Sequence, residues 1–384
     1  MALLLRLDPS IQANALQQAV SKAVAAHPVL LCTLQEADGQ VFMQAAEEPV
    51  HYVPEIVCCG EADMEQVRCQ AQPVFDLRHG SMFRTVIYQT ESGLYLHLMA
   101  DHMILDGDSM DLLAEDIDAA LTGREIVPER LSFLQLCEEQ KDNGEDAAAK
   151  RWFTKLLSGM KDACGLHTGE ADPSGANMAF KWLSRDDVAV GQLLDRLRIS
   201  VTTLFCGLLG LTLAAENGTD RSVFEISFNG RSDSRLERTV GYLVQSVPVC
   251  CLTDGKVSLA DYLRGVQEQL LRSMSYAAQA PACVKSLLPE CGRHLVISQR
   301  AEAEVLRMGG RDAVSIDLTG RKTATPDGLD TIFTLTPVPG GMMLSAMFDP
   351  SRYSEVCVSS VCERLDRILS AAAPDMTLQQ LIQL

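Results

Sequence analysis

Leu94, Leu96 and Leu98 alternate with Tyr95, His97 and Met99, a period of two that predicts a strand with one apolar face. Phe83–Gln89 is its natural hairpin partner across Thr90–Gly93. The alternation ends at Ala100, and Asp101, His102, Asp106 and Gly107 follow in quick order. Leu112, Leu113, Ile117 and Leu121 then recur at helical spacing, which predicts a helix with Ser109 as its N-cap. A histidine at a strand end, on a turn closed by Asp-Gly, is placed to face a cleft rather than a core.

Elsewhere the pattern keeps switching between the two periods. Ala2–Leu7 reads as a strand, and Leu16, Val20 and Val24 mark a helix that ends at His27-Pro28. Val29–Leu34 and Val41–Ala45 read as strands around Ala37-Asp38-Gly39. Glu61–Gln72, Ser132–Glu139 and Ala147–Leu157 are helical, and residues 161–176, rich in Gly, Pro and charge, read as a linker. The second half starts with a strand at Ala179–Leu183 and a helix at Asp186–Arg198. Thr202–Glu216 is a nearly all-apolar helix that should be buried on all sides. Ser222–Phe228 is a strand ending at Asn229-Gly230-Arg231, and Val240–Leu252 an irregular strand with an internal Gly and Pro. Leu259–Met274 and Glu355–Ala371 are helices, and Thr331–Leu335 with Met342–Phe348 form a hairpin. Both halves mix sheet and helix, so the class is α/β, in an α+β sandwich arrangement, without a short-period repeat.

At 384 residues the chain suits two domains, residues 1–160 and 177–384 about the linker. The formal net charge of −18 argues against a nucleic-acid surface and against an anionic membrane. Apolar runs stay short of the roughly 20 residues of a spanning helix. Arg6 and Asp8 interrupt Met1–Leu7 before a signal-peptide core forms, so a cytoplasmic location is expected. The 13 cysteines include no C-x-x-C and suit reduced, buried thiols. His27 precedes a proline and suits a structural cap. His51, His79, His97, His167 and His294 lack partners at metal-ligand spacing, so neither a metal nor a tight prosthetic group is expected.

Taken in order, A-D-H-M-I-L-D-G-D-S at 100–109, K-R-W-F-T-K-L-L at 150–157, Phe228–Arg231 and V-G-Y-L-V-Q-S at 240–246 resemble motifs of nonribosomal peptide synthetase condensation domains. Lys22–Leu34, Asp330–Thr336 and Met342–Tyr353 extend the likeness over nearly the whole chain. These domains belong to the chloramphenicol-acetyltransferase-like superfamily. The resemblance implies two such lobes in a V-shaped pseudo-dimer with mixed sheets, and part of the second lobe, within Glu302–Asp330, crossing to the first. It implies an acyltransferase that forms an amide between carrier-bound acyl and aminoacyl thioesters. The alternatives are a free-standing acyltransferase using coenzyme A or a carrier, and a catalytically degenerate carrier-docking domain. Partners would be peptidyl or acyl carrier domains, with adenylation domains in the same or a neighbouring chain. Substrates would ride on phosphopantetheine arms, with no bound cofactor. On that resemblance the sequence starts at the family's first strand, and the helix that precedes it in the family is expected to be missing.

Within that resemblance His102 is the catalytic histidine, placed to take a proton from an attacking amine or to hold it in line. Asp106 is either a carboxylate in the chemistry or a partner of an arginine that shapes the loop, with Arg231 as that arginine, in the second lobe. Gly107 either offers its N–H to an oxyanion or is a plain turn residue. Ser109, Gly241 and Gln245 would line the substrate tunnel. Five positions depart from the family pattern: Asp101 replaces a histidine, Asp108 a tryptophan and Gln245 an asparagine, and Ala26 and Leu31 stand where arginines are expected near His27. Asp101 either orients His102 or marks a site losing activity.

Overall fold

A computed structural model describes residues 1–45, 51–69, 75–77, 80–141, 146–160, 166, 177–284, 287, 293–298, 306–316, 318, 325, 328–338 and 341–384. The chain divides into two compact units. The first comprises Met1–Asn143, Asn229–Val244 and Ala303–Arg321, and the second Gly144–Phe228, Gln245–Glu302 and Lys322–Leu384.

In the first unit a five-stranded sheet runs in the order Val314–Ser315, Ala2–Arg6, Gly93–Ala100, Phe83–Thr90 and Glu55–Cys58. The hairpin Phe83–Thr90/Gly93–Ala100 is antiparallel, with Val86 opposite His97, and only Glu55–Cys58 joins in parallel. Leu5, Leu96 and Leu98 point to the core shared with helices Ala13–Ala26 and Gly107–Leu121. Leu4 and Tyr95 pack with Met64 in a separate cluster, because successive strand residues alternate faces. Val29–Leu34 is not one strand. Pro28–Leu31 forms a 3₁₀ turn and the strand begins at Thr33, since Val29 and Leu30 are buried in the helix-side core and follow a proline suited to a first helical turn. Asp38 and Gly39 both have positive φ (53° and 73°), the pair of left-handed residues that a tight hairpin turn requires.

The second unit has a six-stranded sheet in the order Met178–Trp182, Gly341–Phe348, Thr331–Val338, His294–Ser298, Arg221–Phe228 and Gln245–Leu252. His294–Ser298 is parallel to both neighbours and the other pairings are antiparallel, so the sheet is mixed. Helix Val201–Glu216 is buried along Thr203–Ala214, as its apolar composition predicts. The linker expected at 161–176 lies outside the described residues except for Leu166, which is buried in this core. Helix Ala147–Leu157 belongs here rather than with residues 1–143, because Phe153 and Leu157 bury into the second core.

Residues 229–244 also differ from expectation. The strand begins only at Gln245. Val240 is buried in the first unit's core, and Leu243 packs with Leu131 and Leu236. Arg231 therefore belongs to the first unit and not to the second lobe.

Candidate active site

The loop after strand Gly93–Ala100 is set by its main chain. The Asp101 N–H donates to the Met82 carbonyl (2.8 Å), and the Asp101 carboxylate accepts from the Met103 N–H (2.9 Å). Ile104 and Leu105 are fully buried and anchor the loop in the core, which leaves His102 exposed between them and the strand. His102 Nδ1 lies 2.8 Å from the Leu105 carbonyl oxygen. A carbonyl only accepts, so Nδ1 carries a proton and donates it to Leu105. Tyr242 stands edge-on to the imidazole, ring centroids 5.4 Å apart at 86°. The Leu105 carbonyl thus holds the His102 ring, and the Asp101 carboxylate is engaged with the Met103 N–H.

Asp106, and not Ser109, is the N-cap of helix Gly107–Leu121. Its Oδ1 accepts the Ser109 N–H at 2.8 Å, satisfying one of the open donors of the first turn. The same carboxylate is gripped by Arg231 in two parallel hydrogen bonds, Nη1–Oδ2 and Nη2–Oδ1, both 3.0 Å. The Leu243 N–H adds a fourth at 2.9 Å. Arg231 also donates to the Thr239 carbonyl (3.1 Å) and the Ser109 hydroxyl (2.8 Å). Asp106 is 0% exposed and the Arg231 side chain 6%. A carboxylate so enclosed and so fully hydrogen-bonded is a structural anion, with no lone pair turned to a substrate. Gly230, at a φ of +67°, makes the turn that leads into Arg231.

Of the three residues expected to line a tunnel, Ser109 and Gly241 are hydrogen-bonded to each other. Ser109 is fully buried; its hydroxyl donates to the Gly241 carbonyl (2.7 Å) and accepts the Gly241 N–H (2.9 Å). Gly241 is buried, and a Cβ there would lie 2.5 Å from the Phe133 ring. Both seat residues 229–244 on the motif helix rather than face a substrate. Gln245 is half-buried at the start of a second-unit strand, opposite Phe228. Gly107 is exposed, and a Cβ there would meet nothing within 4 Å. Asp108 accepts from the Asn229 side chain (3.0 Å). Among the described residues no group of three His, Cys, Asp or Glu side chains could hold a metal ion, and no single helix is long and apolar enough to cross a membrane.

Asn229, Thr239, Tyr242 and Leu243 also take part; all but Thr239 fall in motif segments quoted from the sequence, where residue pattern assigns none of them a role. Three of their four contributions are backbone groups or ring edges, which carry no residue signature.

The sequence profile of the Condensation domain family matches residues 1–284, which include the motif loop and Arg231. The chain belongs to that family. It is 24% identical over 294 residues to a linear gramicidin synthase of Brevibacillus parabrevis, covering 70% of this chain and 6% of that protein. It is 22% identical over 269 residues to bacitracin synthase 3 of Bacillus licheniformis, covering 67% and 4%. The chain thus spans a small part of the curated relatives it matches, which are nonribosomal peptide synthetases or parts of them. The fold is that of condensation domains. The first condensation domain of the calcium-dependent antibiotic synthetase, solved with a substrate analogue, aligns with a TM-score of 0.74 at 17% identity over 99% of this chain and 92% of that one. The X-domain from teicoplanin biosynthesis in complex with OxyB aligns at 0.78 and 18%, over 100% and 88%.

Proposed function

We propose that this condensation domain joins two carrier-bound thioesters through an amide, with His102 as the general base. One observation carries the reading: the Leu105 carbonyl fixes the proton on Nδ1, so an exposed ring presents Nε2 as a base. The acceptor amine attacks the thioester carbonyl carbon, and Nε2 takes the proton that the nitrogen sheds. The carbon–sulfur bond breaks as the carbonyl re-forms, and the imidazolium returns the proton to the leaving thiolate. Asp106 and Arg231 hold the loop and stay outside the chemistry. The open space in front of Gly107 leaves room for the reacting carbonyl at the helix N-terminus. Donor and acceptor arrive on phosphopantetheine arms of carrier domains, loaded by adenylation domains in the same or a neighbouring chain, and the domain itself holds no cofactor.

The test is product formation from a donor thioester and an aminoacyl acceptor, each loaded on the phosphopantetheine arm of a carrier domain. The wild type turns over, and His102→Ala loses about 10²–10⁴-fold with unchanged unfolding. Turnover from coenzyme A thioesters and a free amine, but not from carriers, would make it a free-standing acyltransferase. A second reading, a carrier-docking domain without turnover, draws on Asp101, whose carboxylate is held by the Met103 N–H where the family pattern has a histidine. Carrier binding without product from any loaded pair would favour it.

A further inference from the structure

His27 ends helix Ala13–Ala26 and is 1% exposed. Its Nδ1 lies 2.8 Å from Glu129 Oε1 and its Nε2 2.8 Å from Asp116 Oδ2. Each carboxylate is also held from residues 229–244. Arg238 donates to Asp116 Oδ1 (2.6 Å), and the Val240 N–H donates to Glu129 Oε1 (2.8 Å). The other Arg238 arm reaches Glu115 Oε2 at 2.5 Å. The charged groups around the ring are therefore Glu115 and Asp116 on the motif helix, Glu129 on the connection after it, and Arg238 on the returning segment.

A neutral imidazole has one N–H, and its other nitrogen would turn a lone pair on a carboxylate oxygen at 2.8 Å. That contact is repulsive unless a second proton sits in it. Arg238 and the Val240 N–H already donate to these two carboxylates, and a ring that donates from both nitrogens satisfies both 2.8 Å contacts.

We propose that His27 is a positioning residue of the His102 site, an imidazolium whose second proton keeps residues 229–244 seated on the motif helix. The linkage runs through one short segment. Arg238 and Val240 anchor it to the His27 cluster. Arg231, Gly241 and Leu243 hold Asp106 and Ser109, and Tyr242 stands against His102. When the ring loses a proton, one carboxylate contact fails and the segment loosens at both places. Burial lowers the His27 pKa, and hydrogen bonds and charge from Asp116 and Glu129 together outweigh it, so that it is raised. The seating is therefore complete below about 6.5, the ordinary histidine value, and is lost as pH rises through the raised native value. The proposal concerns the order of the segment and does not depend on the amide-forming reading.

Two measurements on the full chain test it. Nitrogen-15 histidine NMR reads the ring directly: His27 should carry both protons at pH 7 and lose one at a pKa above that of an exposed histidine. Hydrogen exchange of the Val240 and Leu243 amides, corrected for the intrinsic base-catalysed rate, should lose about tenfold protection through the same pH range. In Asp116→Asn the amide can donate to a neutral ring while its oxygen still accepts from Arg238, so protection should stay flat. A singly protonated His27 at pH 7 would overturn the proposal. So would equal pH dependence of protection in wild type and Asp116→Asn. If that variant does not fold, the ring titration of the wild type decides alone.

Discussion

Among its described residues the first unit buries two histidines, on opposite sides of its sheet, and the sequence around each gives no hint that they differ in charge. On the helix side, both nitrogens of His27 meet carboxylates. On the other side, His97 is 3% exposed beside Leu4 and Val86, and neither of its nitrogens has a partner among the described residues. Burial, with a smaller push from Arg84, lowers the His97 pKa to about 4. Burial acts on both rings in the same direction. What separates them is whether acceptors stand within hydrogen-bond reach, and that decides whether a buried histidine is an ion or an apolar ring with two idle nitrogens. His102, exposed and with Nδ1 held by the Leu105 carbonyl, is the third case.

The largest effect comes from deleting the charged ring. His27→Leu leaves Asp116 enclosed with Arg238 and Glu129 enclosed with the Val240 N–H, and breaking one side of a buried ion pair costs about 3–5 kcal/mol. Urea unfolding near pH 6.5 measures it, and a loss under about 1 kcal/mol would mean that the cluster is not an ion network. Next is the pH dependence of the wild type. His97 takes up a proton at about 4 in the folded chain and at about 6.5 when unfolded. Its neutral state therefore contributes full stability above about 6.5, lost as pH falls toward 4, on the order of 3 kcal/mol in all. His27 has the opposite sign and loses its contribution at alkaline pH, so the two should bracket a stability maximum.

A smaller effect separates packing from charge in the segment that both His27 and Asp106 hold. Gly241→Ala places a methyl group against the Phe133 ring without touching an ionised group. Overpacking of this kind costs about 1–3 kcal/mol. The pH at which His27 titrates should hardly move, as the two carboxylates remain. A shift of more than about one unit in the ring titration would show that seating and protonation are coupled more broadly than through Arg238 and Val240.

Residue pattern alone located most of the regular elements, since helices Leu259–Met274 and Glu355–Ala371 and the hairpin around Thr90–Gly93 depend on local period. It failed where tertiary packing overrides period. Val240 and Leu243 look like strand residues, yet they anchor a loop to another core. Val29 and Leu30 look the same, yet they fill a 3₁₀ turn behind a helix. At the site, Asp106 and Arg231 could be paired from sequence because a carboxylate beside a cleft demands a cation and Arg231 closes a strand. The Leu105 carbonyl could not be foreseen as the group that orients His102, because every residue has one. His27 lies 89 and 102 positions from its two carboxylates, and no local spacing connects them.

The smallest effect bears most directly on the contrast. His97→Leu removes two nitrogens that have no partner among the described residues and substitutes an apolar side chain on a sheet face already lined by Leu4 and Val86. An orphaned polar group replaced by an apolar one of fitting shape is nearly neutral or stabilising, so at pH 7.5 stability should change by no more than about 1 kcal/mol. At pH 4.5 the variant should be the more stable protein, because the unfolded wild type is stabilised by protonating His97 and the variant has no such group. Unfolding curves at the two pH values decide it. Equal stability of wild type and variant at pH 4.5 would show that His97 is protonated in the folded chain and has a partner. A loss of several kcal/mol at pH 7.5 would show that its nitrogens are engaged, and the two faces of the sheet would then treat their histidines alike.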